Sequence, residues 1–553
     1  MRPAVVPRGA EGGLLLPGEL GTVPAADDAE PPTAEDRAMT VVLDDRPAPV
    51  ASVHRAHADP TGGAGRAKSR AAFALVPVVA LALTKLSFQL SVAGRYGWHR
   101  DELYYVDAGR HLAFGYVDFP PLTPLLARVA TALFGDSLVG LRSLAALAGA
   151  AAVLVVALVA RELGGGRRVQ ALAAVLAATS PALLGADAMF QTVPFDQLLW
   201  AVIALLAVRV LKAPSAGRWV ALGVAAGVAL ETKYTVALLL VGLAAGLVVT
   251  KEGRRHLRTP GPWLAAGVAF VLLAPNLWWQ ARHGWPSVDF FTGGEGYEPG
   301  ETSPGQYVGE LLLMIGPATL VLCAAGLRLL RRDRHWSTLG VAAGVVVVGF
   351  LGTGGKSYYA APIALLLYAA GAVAASRWRR WGRWAVVGGA LATIVVAGPY
   401  MFPILGEQAM VDRELYEPRE DYAEQLGWPE LAAEMTAAAA DLSPLERSSA
   451  AVLAGNYGEA GAIGRFGGGG VPPVVSGHVS WRWWVDDAAL AARTLLVVGY
   501  PRSWLEPRCA RLVRVGTVTN HAGVPNEESG GPVFRCDLPG TLADVWPDVV
   551  REG

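Results

Sequence analysis

The chain reads as a polytopic α-helical membrane protein that ends in a small soluble α/β domain. Three observations predict this. Of its 553 residues 53% are hydrophobic and 17% charged. Several apolar runs approach the roughly twenty residues that a helix needs to cross a bilayer core. The long runs then stop near residue 405, and the pattern behind them is that of a water-soluble segment. Lys and Arg total 47, as do Asp and Glu, so the placement of charge carries the information and its sum carries none. No nucleic-acid partner is expected.

Residues 1–70 are rich in Ala, Pro, Gly, Asp and Arg and have no apolar periodicity. Such a segment cannot bury enough surface to offset chain entropy, and a disordered cytoplasmic tail is expected. The first apolar run begins near Ala71, too far in for the h-region of a cleavable signal and long enough to remain as a helix. Residues 71–405 then form the transmembrane domain. Eleven spans are expected, at about 71–93, 138–160, 169–187, 197–211, 218–232, 234–250, 262–281, 306–327, 337–352, 358–375 and 384–405. The loops test that count. With a cytoplasmic N-terminus the inner loops are ARELGGGRRV, VRVLKAPSAGR, KEGRRHLR, RLLRRDRH and SRWRRWGR. All are basic, as the positive-inside rule requires, and one helix gained or lost would break the alternation.

The opposite, outer face receives Asp101 and Glu102, Asp187 and Asp196, Glu231 and Lys233, Arg282 with His283 and Trp285, and Lys356 with Tyr358 and Tyr359. Singly, each has an ordinary explanation as interfacial aromatic, snorkelling cation or solvated acid. As a set they carry more weight. Outer loops have no topological reason to hold lysines, and a Glu-x-Lys buried at helix ends implies pairing or ligand contact. The first outer loop, 94–137, predicts two short amphipathic helices, in HRDELYYVDAGRHLAFGY and PPLTPLLARVATALFG, joined by a fixed turn over Gly115–Pro121.

Residues 406–553 place a helix-like stretch, DYAEQLGWPELAAEMTAAAADL, among strand-like pieces, SSAAVLAGN, ARTLLVVGY and ARLVRVGTV, with glycine-rich turns. This predicts a small α/β domain, extracytoplasmic by the span count. Three cysteines are too few for a disulfide scaffold. Cys323 sits in an apolar run as a packing residue, and Cys509 and Cys536 form one bridge if their domain lies in an oxidising compartment.

No Walker A loop, HExxH, CxxC pair or GxSxG elbow occurs. His99, His111 and His283 form no evident ligand set, so the metal requirement is undetermined and a divalent ion at the acidic pair stays open. What remains is a carboxylate that can accept the proton of an attacking hydroxyl, cations that can hold a leaving phosphate, aromatic faces suited to sugar rings, and a membrane suited to an isoprenoid tail. These parts add up to sugar transfer from a lipid phosphate carrier. A flippase or transporter of lipid-linked sugars is the alternative, but it predicts inverted repeats and charges near the midplane, where the sequence shows neither. A non-enzymatic scaffold would leave the acids and lysines without a purpose.

The stretches RDELYY with GRHLAFGYVDFPPLTPLLAR, QTVPFDQLLW, LETKYT, APNLWWQARHGWPS and GKSYYAAP follow in this order over about residues 71–405. Together they resemble the bacterial glycosyltransferase family 39 or 83 group, the ArnT-like and protein-mannosyltransferase-like enzymes of the GT-C fold. NYGEAGAI (Asn456–Ile463) looks like the tail domain of one bacterial branch. The resemblance implies an inverting transferase of the bacterial cell membrane that moves a sugar from a polyprenyl-phosphate donor to an extracytoplasmic lipid, glycan or protein hydroxyl. It places the general base at Asp101, with Glu102 as the second member of the catalytic pair and Asp196 orienting the acceptor. Arg100, Lys233, Arg282, His283 and Lys356, with Tyr234, Tyr358 and Tyr359, become the substrate-binding candidates. Inversion by one in-line attack needs a single base and no carboxylate nucleophile.

Overall fold

The computed structural model describes residues 72–293, 303–353 and 355–552. The expected disordered tail, residues 1–70, lies outside them. The bundle begins with α1 (Leu75–Val92), followed by two short helices of the first loop, α2 (Arg100–Arg110) and α3 (Leu122–Phe134). Then come α4 (Leu138–Glu162), α5 (Arg167–Ala178), α6 (Pro181–Ala186), α7 (Thr192–Lys212), α8 (Ala216–Leu230), α9 (Val236–Val249), α10 (Lys251–Leu257) and α11 (Pro260–Arg282). The series closes with α12 (Pro286–Phe291), α13 (Pro304–Ile315), α14 (Leu320–Arg332), α15 (Ser337–Gly352), α16 (Ile363–Ala374) and α17 (Arg380–Met401).

Among the described residues five helices, α1, α4, α7, α11 and α17, are long and apolar enough to cross a membrane, and seven spans result if each of two bent pairs is one span. The bends have local causes. Between α13 and α14 the chain turns by 80° at Gly316, which has φ 92°, and Pro317, which has no N–H to continue the ladder. Between α9 and α10 it turns by 102° at Thr250, whose hydroxyl accepts from the Gly253 N–H at 3.0 Å and caps the polar helix that follows.

The two ends of the bundle differ in chemistry. At one end Arg209 and Lys212 of α7 close on Glu162 of α4, both at 3.3 Å, and Arg334 approaches Glu252 at 4.0 Å. This is where the basic loops meet. The other end carries α2, α3 and the chain beyond α17. Inside the bundle, α14 and α16 touch through Gly326 and Gly371: a Cβ on Gly326 would stand 2.7 Å from the Leu367 carbonyl oxygen, so only a bare backbone permits the approach. Lys85 of α1 pairs with Asp187 at 2.7 Å, both fully enclosed. Gly149 of α4 leaves the room, since a Cβ there would sit 1.9 Å from the Asp187 carboxylate.

After α17 the chain builds a five-stranded sheet from β1 (Ala450–Ala454), β2 (Val474–Ser476), β3 (Thr494–Val498), β4 (Arg511–Thr517) and β5 (Pro532–Asp537), in the order β2-β1-β3-β5-β4. β1 pairs in parallel with β2 and β3, whereas β5 runs antiparallel to both β3 and β4. β1 and β3 are buried along their whole length, which explains why, apart from Thr494, their sequences are apolar throughout. The helix Tyr457–Phe466 connects β1 to β2 and lies against α2. Cys509 and Cys536 are joined in a disulfide, with Cα atoms 5.4 Å apart. Replacing both with Ser is expected to destabilise this part of the chain by about 2–4 kcal/mol. Thermal unfolding checks it: reductant should lower the wild-type midpoint to that of the variant and leave the variant unmoved.

Candidate active site

The site starts at the first turn of α2. His99 is its N-cap: Nδ1 accepts from the Asp101 N–H at 3.2 Å, and Glu102 accepts in return from the His99 N–H at 3.0 Å. Neighbouring residues on a helix point about 100° apart, so Asp101 and Glu102 face different surroundings. Glu102 is fully buried and forms a two-pronged pair with Arg142 of α4, Nε to Oε1 at 2.7 Å and Nη2 to Oε2 at 2.8 Å, while the Phe190 N–H donates to Oε1 at 2.9 Å. Arg142 spends its remaining donors on the carbonyls of Ala93, Arg95 and Gly97 and on Gln425 Oε1. Glu102, which the sequence places in the catalytic pair, is thus enclosed and bonded to Arg142.

Asp101 opens instead onto a cavity of about 530 Å³ at the α2 end of the bundle. Oδ1 accepts from the Tyr457 hydroxyl at 2.7 Å. Lys356 and Tyr358, ahead of α16, contribute to the wall, as do Gln191, just before α7, and Gln197 within it. Lys356 is exposed and, among the described residues, forms no ion pair. Behind the wall, the Lys233 ammonium lies 5.0 Å from the Tyr358 ring centre and 5.1 Å from that of Tyr359, a cation held on two aromatic faces. Asp196 is buried in α7, accepts from Trp200 Nε1 at 3.0 Å and faces the Lys233 charge.

Other expected site residues are elsewhere or already engaged. Arg100 lines the cavity but is tied to Glu527 at 2.7 Å and Glu424 at 3.3 Å. Arg282 lies over Trp278, His283 stacks on Trp279 with centroids 4.0 Å apart, and the Tyr234 hydroxyl donates to Asn276 at 3.0 Å. None of the three lines this cavity. The cause is the course of α11, which is pinned to the first loop by Asn276 on the Phe114 carbonyl and Gln280 on the Tyr116 carbonyl.

Sequence reasoning missed the part of the wall supplied by the chain after α17: Arg419, Asp421, Glu424 and Tyr457. One signal was present. Asn456 and Glu459 form a capping box, an N-x-x-E pattern that puts Tyr457 at the first position of a helix. Burial, with the Arg100 and Arg482 cations adding, pushes His478 down to about 4. Its neutral ring stacks on Tyr457 with planes 7° apart. Burial also raises the Asp118 carboxyl, to about 7, against the hydrogen bond it receives from Tyr104.

One group has the makings of a cation site: His99, Asp421 and Glu424 bring ligand atoms within 4.8 Å of one another. Its bonding argues against that use. His99 Nδ1 is already an acceptor, so the ring proton belongs on Nε2, the nitrogen 2.7 Å from Glu424. Arg419 and Arg100 already neutralise the two carboxylates, at 3.1 Å and 3.3 Å. The cluster reads as a charge network that holds the chain after α17 against α2.

The family model described as dolichyl-phosphate-mannose-protein mannosyltransferase matches residues 118–279. The lipid A galacturonosyltransferase RgtD of Rhizobium johnstonii is 30% identical over 185 residues, which are 33% of this chain and 38% of that protein. The structure of ArnT from Cupriavidus metallidurans bound to undecaprenyl phosphate is similar with a TM-score of 0.55 at 18% identity, covering 84% of this chain and 98% of that one. The apo form of that protein gives 0.57 at 17% identity, over 85% and 98%. The structural likeness shows the fold: this is a multi-pass membrane protein of the GT-C fold.

Proposed function

We propose that this protein is an inverting glycosyltransferase that moves a sugar from a polyprenyl-phosphate donor to an acceptor hydroxyl. The observation that carries the reading is the Asp101 carboxylate open to a cavity whose wall also holds Lys356 and Tyr358, with Lys233 behind. One oxygen of Asp101 takes the proton of the acceptor hydroxyl as the hydroxyl oxygen bonds to the anomeric carbon. The bond from that carbon to the phosphate breaks, its electron pair leaves with the carrier, and the two lysines stabilise the phosphate charge. Related proteins support the substrate class: RgtD is named for galacturonosyl transfer to lipid A, ArnT was seen with undecaprenyl phosphate, and the family model is described by a dolichyl-phosphate-mannose donor. Those names favour transfer over a flippase.

In the same reading, residues 71–405 make the transmembrane domain, with the loop 94–137 bearing the base. Eleven passes follow if α14 rather than α13 crosses as the eighth, with the N-terminus cytoplasmic in a bacterial inner membrane. The disulfide between Cys509 and Cys536 supports an extracytoplasmic place for residues 406–553, where oxidation is the rule. The test is donor turnover by purified protein. Asp101→Asn keeps an acceptor for the Tyr457 hydroxyl and removes the base, so release of polyprenyl phosphate should fall about 10²–10⁴-fold with an unchanged melting temperature. Turnover at the wild-type rate would remove Asp101 from the mechanism.

A further inference from the structure

The group bonded to the Asp101 carboxylate comes from the α/β segment and not from the bundle. Tyr457 opens the helix Tyr457–Phe466 and donates to Asp101 Oδ1 at 2.7 Å. Its ring has two stacking partners. Tyr104 of α2 stacks on it with centroids 4.5 Å apart and planes at 17°, and His478 at 5.1 Å and 7°. The helix start is fixed as well, because Asn456 accepts from the Glu459 N–H at 2.9 Å and Glu459 from the Asn456 N–H at 3.3 Å. Two glycines allow the approach to α2. A Cβ on Gly458 would stand 2.8 Å from the Arg100 Cβ, and one on Gly461 2.9 Å from the Leu103 Cβ. A second contact keeps the segments in register: the Val117 N–H donates to Ser480 Oγ at 3.0 Å, and the Ser480 N–H donates to the Tyr104 hydroxyl at 3.1 Å.

A rigid phenol on one carboxylate oxygen restricts rotation about the Cβ–Cγ bond of Asp101 and divides the labour between its oxygens. Oδ1 is taken, and Oδ2 is left for the acceptor. A base must stand within about 2.6–3.2 Å of the group it deprotonates, and displacements near 1 Å cost a large part of the rate. We infer that Tyr457 is a positioning residue for the Asp101 base, so the α/β segment is a working part of the site. This rests on the transferase reading above.

The test uses the full-length protein in detergent with two readouts, only one of which needs turnover. The first is steady-state transfer from a polyprenyl-phosphate sugar. Tyr457→Phe keeps the stacked ring and is expected to lower kcat about tenfold with the donor KM unchanged. The second is the rate at which a carbodiimide labels Asp101 at fixed pH, read by peptide mass. Freed from the phenol, Asp101 should be labelled about threefold faster in Tyr457→Phe. Replacing Tyr457 with 4-aminophenylalanine, which restores a donor on the same ring, should return both values to near wild type. Wild-type kcat and labelling in Tyr457→Phe would overturn the inference. Should that variant fold poorly, the 4-aminophenylalanine protein decides alone: a tenfold loss of kcat, or labelling well above wild type, sinks the idea. A wild-type protein that turns over no polyprenyl-phosphate donor refutes the transferase reading, while the labelling ratio still decides whether Tyr457 holds Asp101.

Discussion

Replacing Arg142 with Met is expected to destabilise the folded protein by about 3–5 kcal/mol and to abolish activity with it. Arg142 and Glu102 have side chains 1% and 0% exposed, so solvent does not screen what is lost. The guanidinium also binds three carbonyls of the turn between α1 and α2, together with Gln425 from beyond α17. Its removal leaves a charged Glu102 in the interior and orphans those acceptors, and each of these is costly. The double variant Glu102→Gln, Arg142→Met should recover part of the loss, because no unpaired charge stays behind. Thermal unfolding of purified protein measures both effects. An Arg142→Met protein that melts at the wild-type temperature would show that the network does not hold α2 in place.

Lys356→Ala should behave in the opposite way, with wild-type melting and a fall in kcat/KM of about 10²–10³-fold. Lys356 is exposed at the cavity and forms no ion pair among the described residues, so truncating its side chain should cost little stability. The charge it would meet arises as the sugar leaves the phosphate, which is why the loss belongs mainly in kcat. Lys356→Arg should restore much of it, since a cation returns in an altered shape. Initial rates with varied donor separate the outcomes, and a variant with normal kcat would take Lys356 away from the phosphate.

The bundle is legible because apolar runs of spanning length and basic loops are local signals: each expected span from 71–93 to 384–405 contains a helix, although 169–187 divides into α5 and α6 at Ser180–Pro181. The stretch 306–327 was read as one helix because an apolar run hides the effect of Gly316–Pro317, which breaks it into α13 and α14. In the α/β segment β1, β3 and β4 announce themselves, whereas β2 is three residues long and β5 opens with Pro532, so neither gives a strand pattern. The site was legible in composition more than in assembly. Asp101 and Glu102 are equivalent as letters, and their surroundings part because Arg142, forty positions later, bonds Glu102 while Asp101 lines the cavity. Arg282, His283 and Tyr234 shared a motif order with Lys356 but not a cavity, because position along a chain does not say which side of α2 a helix end reaches.

The contact between Tyr457 and Asp101 joins residues 356 positions apart. In the proposed topology, a ribosome that has just delivered the bundle has made a protein with its base exposed and unaligned. The carboxylate gains its phenol only after the C-terminal segment has crossed the membrane and folded against α2. If Tyr457 positions the base as proposed, full competence arrives late in biosynthesis, and a chain that ends before Tyr457 would spend carrier-bound sugar more slowly.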